Sequence, residues 1–289
     1  MRRFLIVTAD DFGLHEAVNE AVEQSSRQGV LSAASLMVSA PAAADAVRRA
    51  HALPALRVGL HLTLADGLPQ LPQPEIARLT DASGRFDDRM ALAGWRFFAS
   101  PEVRGQLARE IRAQFAAFAA TGLKLDHVNA HKHFHLHPTV LGLIMKIGRD
   151  FGLEAVRVPA EPLWFAARHG GSAALLGNAL LAPWVTLMKR RLAAAGFTHN
   201  DSVFGIAASG AMSEGRFLEI LARLPGGCTE IYLHPASRSG SAIAPSMAQY
   251  AHEQELAALL SPRVRQALAG VGVDRGGFRD AASLTRRAA

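Results

Sequence analysis

A chain of 289 residues, 49% of them hydrophobic, is long enough to bury a large core as one domain, and α/β barrels reach this size undivided. The single cysteine, Cys228, excludes an intramolecular disulfide. A formal charge of +6 and a pI near 10.2 permit attraction to polyanions, but the basic residues are scattered without interleaved aromatics. Nucleic acid is therefore set aside as a partner, while an anionic membrane surface is retained.

The first residues imitate the start of a signal peptide, but Asp10-Asp11 interrupts the apolar run, so a first strand at 4–8 and no export signal are expected. A helix follows at 16–27, stopped by Gly29, then a strand at 35–38 and a helix at 42–53 running up to Pro54. A strand at 57–63 precedes a long helix at 101–121, with Pro101 in its first turn and Gly122 past its end. Next come a strand at 123–129, a helix at 138–151 closed by Gly152, and a strand at 155–158. Beyond an insertion at about 161–197, the pattern gives a strand at 203–206, a helix at 214–224, a strand at 229–233, a helix at 247–260 and a last strand at 270–273. Cys228, just ahead of a strand, reads as a buried structural thiol. About seven βα units call for a parallel sheet covered by helices. The expected fold is α/β: one TIM-barrel-like (β/α) barrel over 1–289, regular, distorted or incomplete, with an apolar helical insertion. A doubly wound open sheet is the alternative.

Barrel enzymes carry their chemistry at the C-terminal ends of strands. Asp10 and Asp11 follow the first strand, His61 lies late in the strand at 57–63, His131 to His135 follow the strand at 123–129, and His234 follows the strand at 229–233. His127, His131, His133, His135 and His137 share one parity of position, so an extended strand would present a column of imidazoles on one face. Adjacent Asp10 and Asp11 diverge in extended backbone, so one can bind a metal while the other reaches a neighbouring water. One carboxylate with two imidazoles leaves positions open, as catalytic metal sites do. Such a metal lowers the pKa of its water from about 15.7 towards 7, a free carboxylate serves as base, and a histidine across the pocket serves as acid. His234, held extended by Pro235, fits the acid role. Arg157 orients a carboxylate or the substrate, or forms a structural ion pair. His15 starts a helix, and His51, His169, His199 and His252 have ordinary core or surface roles. The absence of a Walker lysine loop and of a Gly-x-Ser-x-Gly elbow argues against an NTPase and a serine hydrolase.

The motifs Thr8-Ala9-Asp10-Asp11-Phe12-Gly13, Val58-Gly59-Leu60-His61-Leu62, the run 126–137 and Leu233-His234-Pro235 span nearly the whole chain in order. They resemble the YdjC-like carbohydrate deacetylase family. The resemblance implies a TIM-barrel-like hydrolase that removes N-acetyl groups from amino sugars with one divalent metal ion. It further implies Asp11, His61 and His131 as ligands, Asp10 as base and His234 as acid, with His133 and His135 lining the pocket or supporting the ligands. The assignment between Asp10 and Asp11, and among His131, His133 and His135, stays open. Zinc suits two imidazoles and a carboxylate best, with magnesium or another divalent cation as alternatives. Ser35-Leu36-Met37-Val38, Ala40-Pro41-Ala42 and the run 125–138 look most similar to the hopanoid biosynthesis-associated deacetylases. That likeness implies an N-acetylglucosaminyl bacteriohopanetetrol as substrate.

The insertion contains Leu163-Trp164-Phe165 and an apolar run at 175–188, followed by Lys189-Arg190-Arg191. Read as too short to span a bilayer and broken by Pro183, it suits a helix lying at a membrane interface, with Trp164 and Trp184 meeting a lipid-linked substrate. The bland alternative is an ordinary barrel helix pair. A cytoplasmic enzyme, soluble or peripheral at the inner face of the membrane, is expected, and no oligomeric seam is visible. Competing functions are deacetylation of soluble chitooligosaccharides, a metal-dependent phosphoesterase, and a non-catalytic metal or membrane module. The phosphoesterase wants two metals about 3.5–4 Å apart, for which acidic rim residues are too few.

Overall fold

The computed structural model describes residues 3–87, 89–240 and 243–288. Strand β1 (Arg3–Phe12) is buried over all but its first residue, as a strand covered on both faces must be. Helix α1 (Glu16–Gln28) starts at His15, whose Nδ1 accepts from the backbone N–H of Ala17. Then come β2 (Ala33–Leu36), α2 (Ala43–His51), β3 (Arg57–Leu62), α3 (Met90–Ala99) and α4 (Pro101–Ala120). They are followed by β4 (Val128–Ala130), α5 (Pro138–Gly148), α6 (Leu163–Ala194), β5 (Ser202–Phe204) and α7 (Glu214–Ala222). The described chain closes with β6 (Gly227–Leu233), α8 (His252–Leu260), α9 (Pro262–Val271), β7 (Asp274–Arg275) and α10 (Phe278–Ala288).

Among the described residues every pairing between these strands is parallel, in the order β4-β3-β2-β1-β6-β5, with β7 beside β1. The sheet curls. Past β4, Val128 bridges to Val156 and Ala155 to Thr198, so the segment expected as a strand at 155–158 contributes bridges only. One apolar cluster runs from Leu5 on β1 to Leu268 on α9 and packs the sheet against its helices.

Several expected bounds are corrected. The strand at 123–129 shrinks to three residues, and the one at 270–273 is displaced by α9, which begins where Ser261 caps the N–H groups of Arg263 and Val264 ahead of Pro262. The actual strand there is Asp274–Arg275. The helix at 247–260 starts only at His252, after a short 3₁₀ turn at Pro245–Met247. Helices α3, α9 and α10 were not anticipated.

The insertion is one 32-residue helix, α6, which leaves helical geometry at Gly171 (φ 69°) and accommodates Pro183 within it. α6 is longer than the run read from the sequence and by length and composition alone could cross a membrane, but it is kinked at Gly171; 6% of its most apolar window is buried. Leu176 and Leu180 are 61% and 73% exposed.

Candidate metal centre and active site

The site begins with an irregularity in β1. Ala9 pairs with Ala34 but Phe12 with Leu36, so β1 carries one extra residue between them. This is a β-bulge, and Asp11 occupies it in the left-handed region at φ 61°. In a regular strand Asp10 and Asp11 would face opposite ways; the bulge buries both at the rim. Asp66, Lys132 and His133 are the other non-glycine residues of positive φ among those described, and Lys132 pairs with Asp66 at 2.7 Å. Backbone strain is thus concentrated around the site.

The predicted column of imidazoles is not formed. β4 ends at Ala130, and residues His131–Leu136 coil into a 3₁₀ segment with Lys132 and His133 left-handed. The histidines therefore part company. His131 turns its Nδ1 to Asp11 Oδ1 at 3.0 Å, and His61 Nε2 approaches the same oxygen at 3.2 Å. One ligand atom from each of Asp11, His61 and His131 lies within 4.8 Å of the others, all three residues being buried. Asp11 Oδ2 has no hydrogen-bond partner and lies 3.9 Å from His234 Nε2. Two imidazoles and a carboxylate with a spare buried oxygen fit a divalent cation. Burial alone would raise the Asp11 carboxyl, but His131, His61 and His234 hold it well below the usual range.

Asp10 is engaged differently. Both its oxygens take the guanidinium of Arg157, at 2.5 and 3.0 Å, and Oδ1 also accepts from Asn129 Nδ2 at 3.1 Å. Against the cost of burial, Arg157 and then His61 keep Asp10 ionised. Arg157 is itself fully buried and also binds Glu230 at 2.6 and 2.8 Å, beneath the ring of Tyr232. Of the roles left open to Arg157, this is the pairing with carboxylates, and it takes four of its five N–H groups.

A pocket of about 160 Å³ is lined by Asp10, His61, His131, His133, Tyr232 and His234 among others. His133 Nε2 hydrogen-bonds Tyr232 Oη at 3.0 Å. His135 is turned inward, its Nδ1 accepting from the N–H of Ala130, and does not line the pocket. Neither tryptophan reaches it: Trp164 borders a groove beneath α6, and Trp184 Nε1 donates to Leu136 O at 2.7 Å. Burial lowers the pKa of His234, with Asp11 and Asp10 opposing. Its backbone is clamped, the N–H by Glu255 and the carbonyl by His252 Nδ1 at 2.6 Å. Burial pushes Glu255 up to about 7. Cys228 is half-buried, its thiol pushed up by desolvation and neighbouring carboxylates.

Sequence reasoning missed Asn129, Glu230, Tyr232, Glu255 and His252. Asn129 had a signal, since it stands within the histidine run. The acids did not, because Glu230 and Glu255 occupy ordinary strand and helix positions.

The chain is 37% identical over 163 residues to a carbohydrate deacetylase of Brevibacillus brevis, covering 55% of this chain and 59% of that protein. It is 36% identical over 170 residues to one from Geobacillus stearothermophilus, covering 58% and 63%. These matches span about three fifths of those relatives' length. A chitooligosaccharide deacetylase of Yersinia pestis is 29% identical over 287 residues, 97% of this chain and 100% of that one. In fold the chain resembles a crystal structure from Enterococcus faecalis V583, provisionally named a cellobiose-phosphate cleavage protein, with a TM-score of 0.75 at 22% identity over 97% and 99% of the two chains. Residues 4–270 match the model of the YdjC-like protein family, and the chain belongs to that family.

Proposed function

We propose that this protein is a metal-dependent N-deacetylase of an acetylated amino sugar. The observation that carries the reading is the buried convergence of Asp11, His61 and His131 within 4.8 Å, at a pocket shared with Asp10 and His234. The deacetylases among its relatives support it. Asp11, His61 and His131 would hold the ion, with zinc the best match to the donor set. A divalent ion bound there would supply Lewis acidity to the acetamide carbonyl and to the attacking water. Asp10, ionised and fixed by Arg157, takes the proton from the attacking water. His234, on the same pocket, gives a proton to the amine nitrogen as its C–N bond breaks, and the proton held by Asp10 restores His234 as acetate and the free amine leave. His133 and Tyr232 form the pocket wall, and His135 supports the turn that carries His131. The curled sheet reads as a distorted (β/α) barrel, joined beyond β4 by the bridges at Val156 and Thr198. One metal cluster among the described residues favours this chemistry over a two-metal phosphoesterase.

A soluble chitooligosaccharide is the leading substrate. A lipid-linked amino sugar, including the hopanoid glycolipid, is a second reading favoured by one surface. Trp95 and Phe98 on α3 are 67% and 53% exposed, and Leu176 and Leu180 on α6 are exposed as well. Both helices touch residues 134–137, through Phe97 on Phe134 and Trp184 on Leu136, just beyond His131. They contain no Asp or Glu, but carry Arg96, Arg168, Lys189, Arg190 and Arg191. An apolar, cation-bearing surface suits an anionic bilayer. Purified protein with zinc is incubated with N-acetylated chitooligosaccharides and, separately, with acetylated glucosaminyl lipid in vesicles. Mass spectrometry showing acetyl loss supports the reading, and faster loss from the lipid selects the second substrate. No acetyl loss from either would sink deacetylation.

A further inference from the structure

His127 is, with the helix-capping His137, one of two members of the histidine run that the proposed chemistry does not use, and it is fully buried well below the rim. Its ring lies against Gly59 so closely that a Cβ there would stand 2.5 Å from it, and Phe278 stacks on it at 4.6 Å. His127 links two ends of a continuous hydrogen-bond path. Nδ1 meets Asp126 Oδ2 at 2.9 Å, and Nε2 meets Ser35 Oγ at 3.1 Å. Ser35 Oγ accepts from Asn129 Nδ2 at 2.9 Å, and Asn129 Oδ1 lies 2.6 Å from His61 Nδ1.

The direction of every bond is fixed by chemistry. Ionised Asp10 only accepts, so the Asn129 edge facing it is the amide nitrogen, and its oxygen must take the Nδ1–H of His61. This leaves His61 Nε2, 3.2 Å from Asp11 Oδ1, as the nitrogen at the metal site. Ser35 receives the second Asn129 N–H, and its own hydrogen has His127 Nε2 as its acceptor. His127 then carries its proton on Nδ1 and donates to Asp126. That carboxylate also accepts the first N–H groups of α10, from Phe278 at 2.9 Å and Arg279 at 3.1 Å. All donors point one way, from His61 to a carboxylate, and such chains strengthen cooperatively in a dry interior.

We propose that Asn129, Ser35, His127 and Asp126 are positioning residues that fix the tautomer of His61 and raise its donor strength toward the metal, with the N-terminus of α10 as the anchor. The inference rests on the metal site proposed above. Zinc affinity is measured by competition titration on the full chain, alongside thermal unfolding of the metal-free protein. Ser35→Ala and Asp126→Asn are expected to weaken zinc about 10-fold or more, as loss of a partner behind a ligand does, and Ser35→Thr to restore most of it. Unchanged zinc affinity in folded Ser35→Ala and Asp126→Asn would overturn the proposal. If a variant fails to fold, ¹⁵N spectra of wild-type protein decide, since His127 must be the Nδ1–H tautomer, and a proton on its Nε2 overturns the chain. Wild-type protein that binds no zinc would instead refute the metal site itself.

Discussion

Asp10 and Asp11 show how far one irregular residue can divide two neighbours of the same type. The bulge gives Asp11 to two imidazoles and Asp10 to a guanidinium. Replacing Asp11 by Ala removes the only carboxylate of the ligand set, so zinc binding should be lost in a titration. Asp10→Asn keeps the shape but not the basicity, and should cut kcat about 10²–10⁴-fold while zinc affinity stays within a few-fold. Arg157 neutralises two buried acids at once, so Arg157→Met should cost about 3–5 kcal/mol in urea unfolding, because it strands Asp10 and Glu230 without a counter-charge. Glu255 gives a pH signature of opposite sign to the paired carboxylates. Its carboxyl is raised from 4.5 to about 7 in the folded protein, so its protonated form stabilises below about pH 4.5 and that contribution disappears as pH rises through 7. The stability of metal-free wild type relative to Glu255→Gln should therefore fall by about 3 kcal/mol across that window.

At the scale of elements, the strands were legible and the helices around them less so. β1, β3 and β6 announce themselves as short apolar runs ending in polar residues, and their rim residues were found for that reason. The histidine run was read with the right residues but the wrong backbone, because parity implies a shared face only while the chain stays extended. Lys132 and His133 in the left-handed region break that premise, and no local pattern foretold it. α6 was split by the reading of Pro183, yet a helix tolerates a proline whose neighbours carry it through. Leu176 and Leu180 meet little protein. Leu176→Asp with Leu180→Asp should change stability by less than about 0.5 kcal/mol, as exposed substitutions do, while reducing co-sedimentation with anionic vesicles. Equal sedimentation of the variant would remove the case for a lipid-linked substrate.

For the molecule as a whole, a ligand set drawn from β1, β3 and the turn after β4 ties together three strands that lie apart in sequence. Metal binding should therefore stabilise the entire fold. Zinc at about 100 times its Kd is worth about 2.7 kcal/mol and should raise Tm by roughly 5 °C, reversibly with a chelator and not in Asp11→Ala. The sequence by itself determined the parallel α/β plan and the rim carrying the chemistry, with Asp10, Asp11, His61 and the histidine run as its candidates, because strand period and residue chemistry are local properties. Only the tertiary structure decided which carboxylate meets the imidazoles, that Arg157 serves Asp10, and that His127 belongs to the interior. Those outcomes depend on one bulge, one left-handed turn and the pairing of distant strands, and none of these is encoded within a window of a few residues.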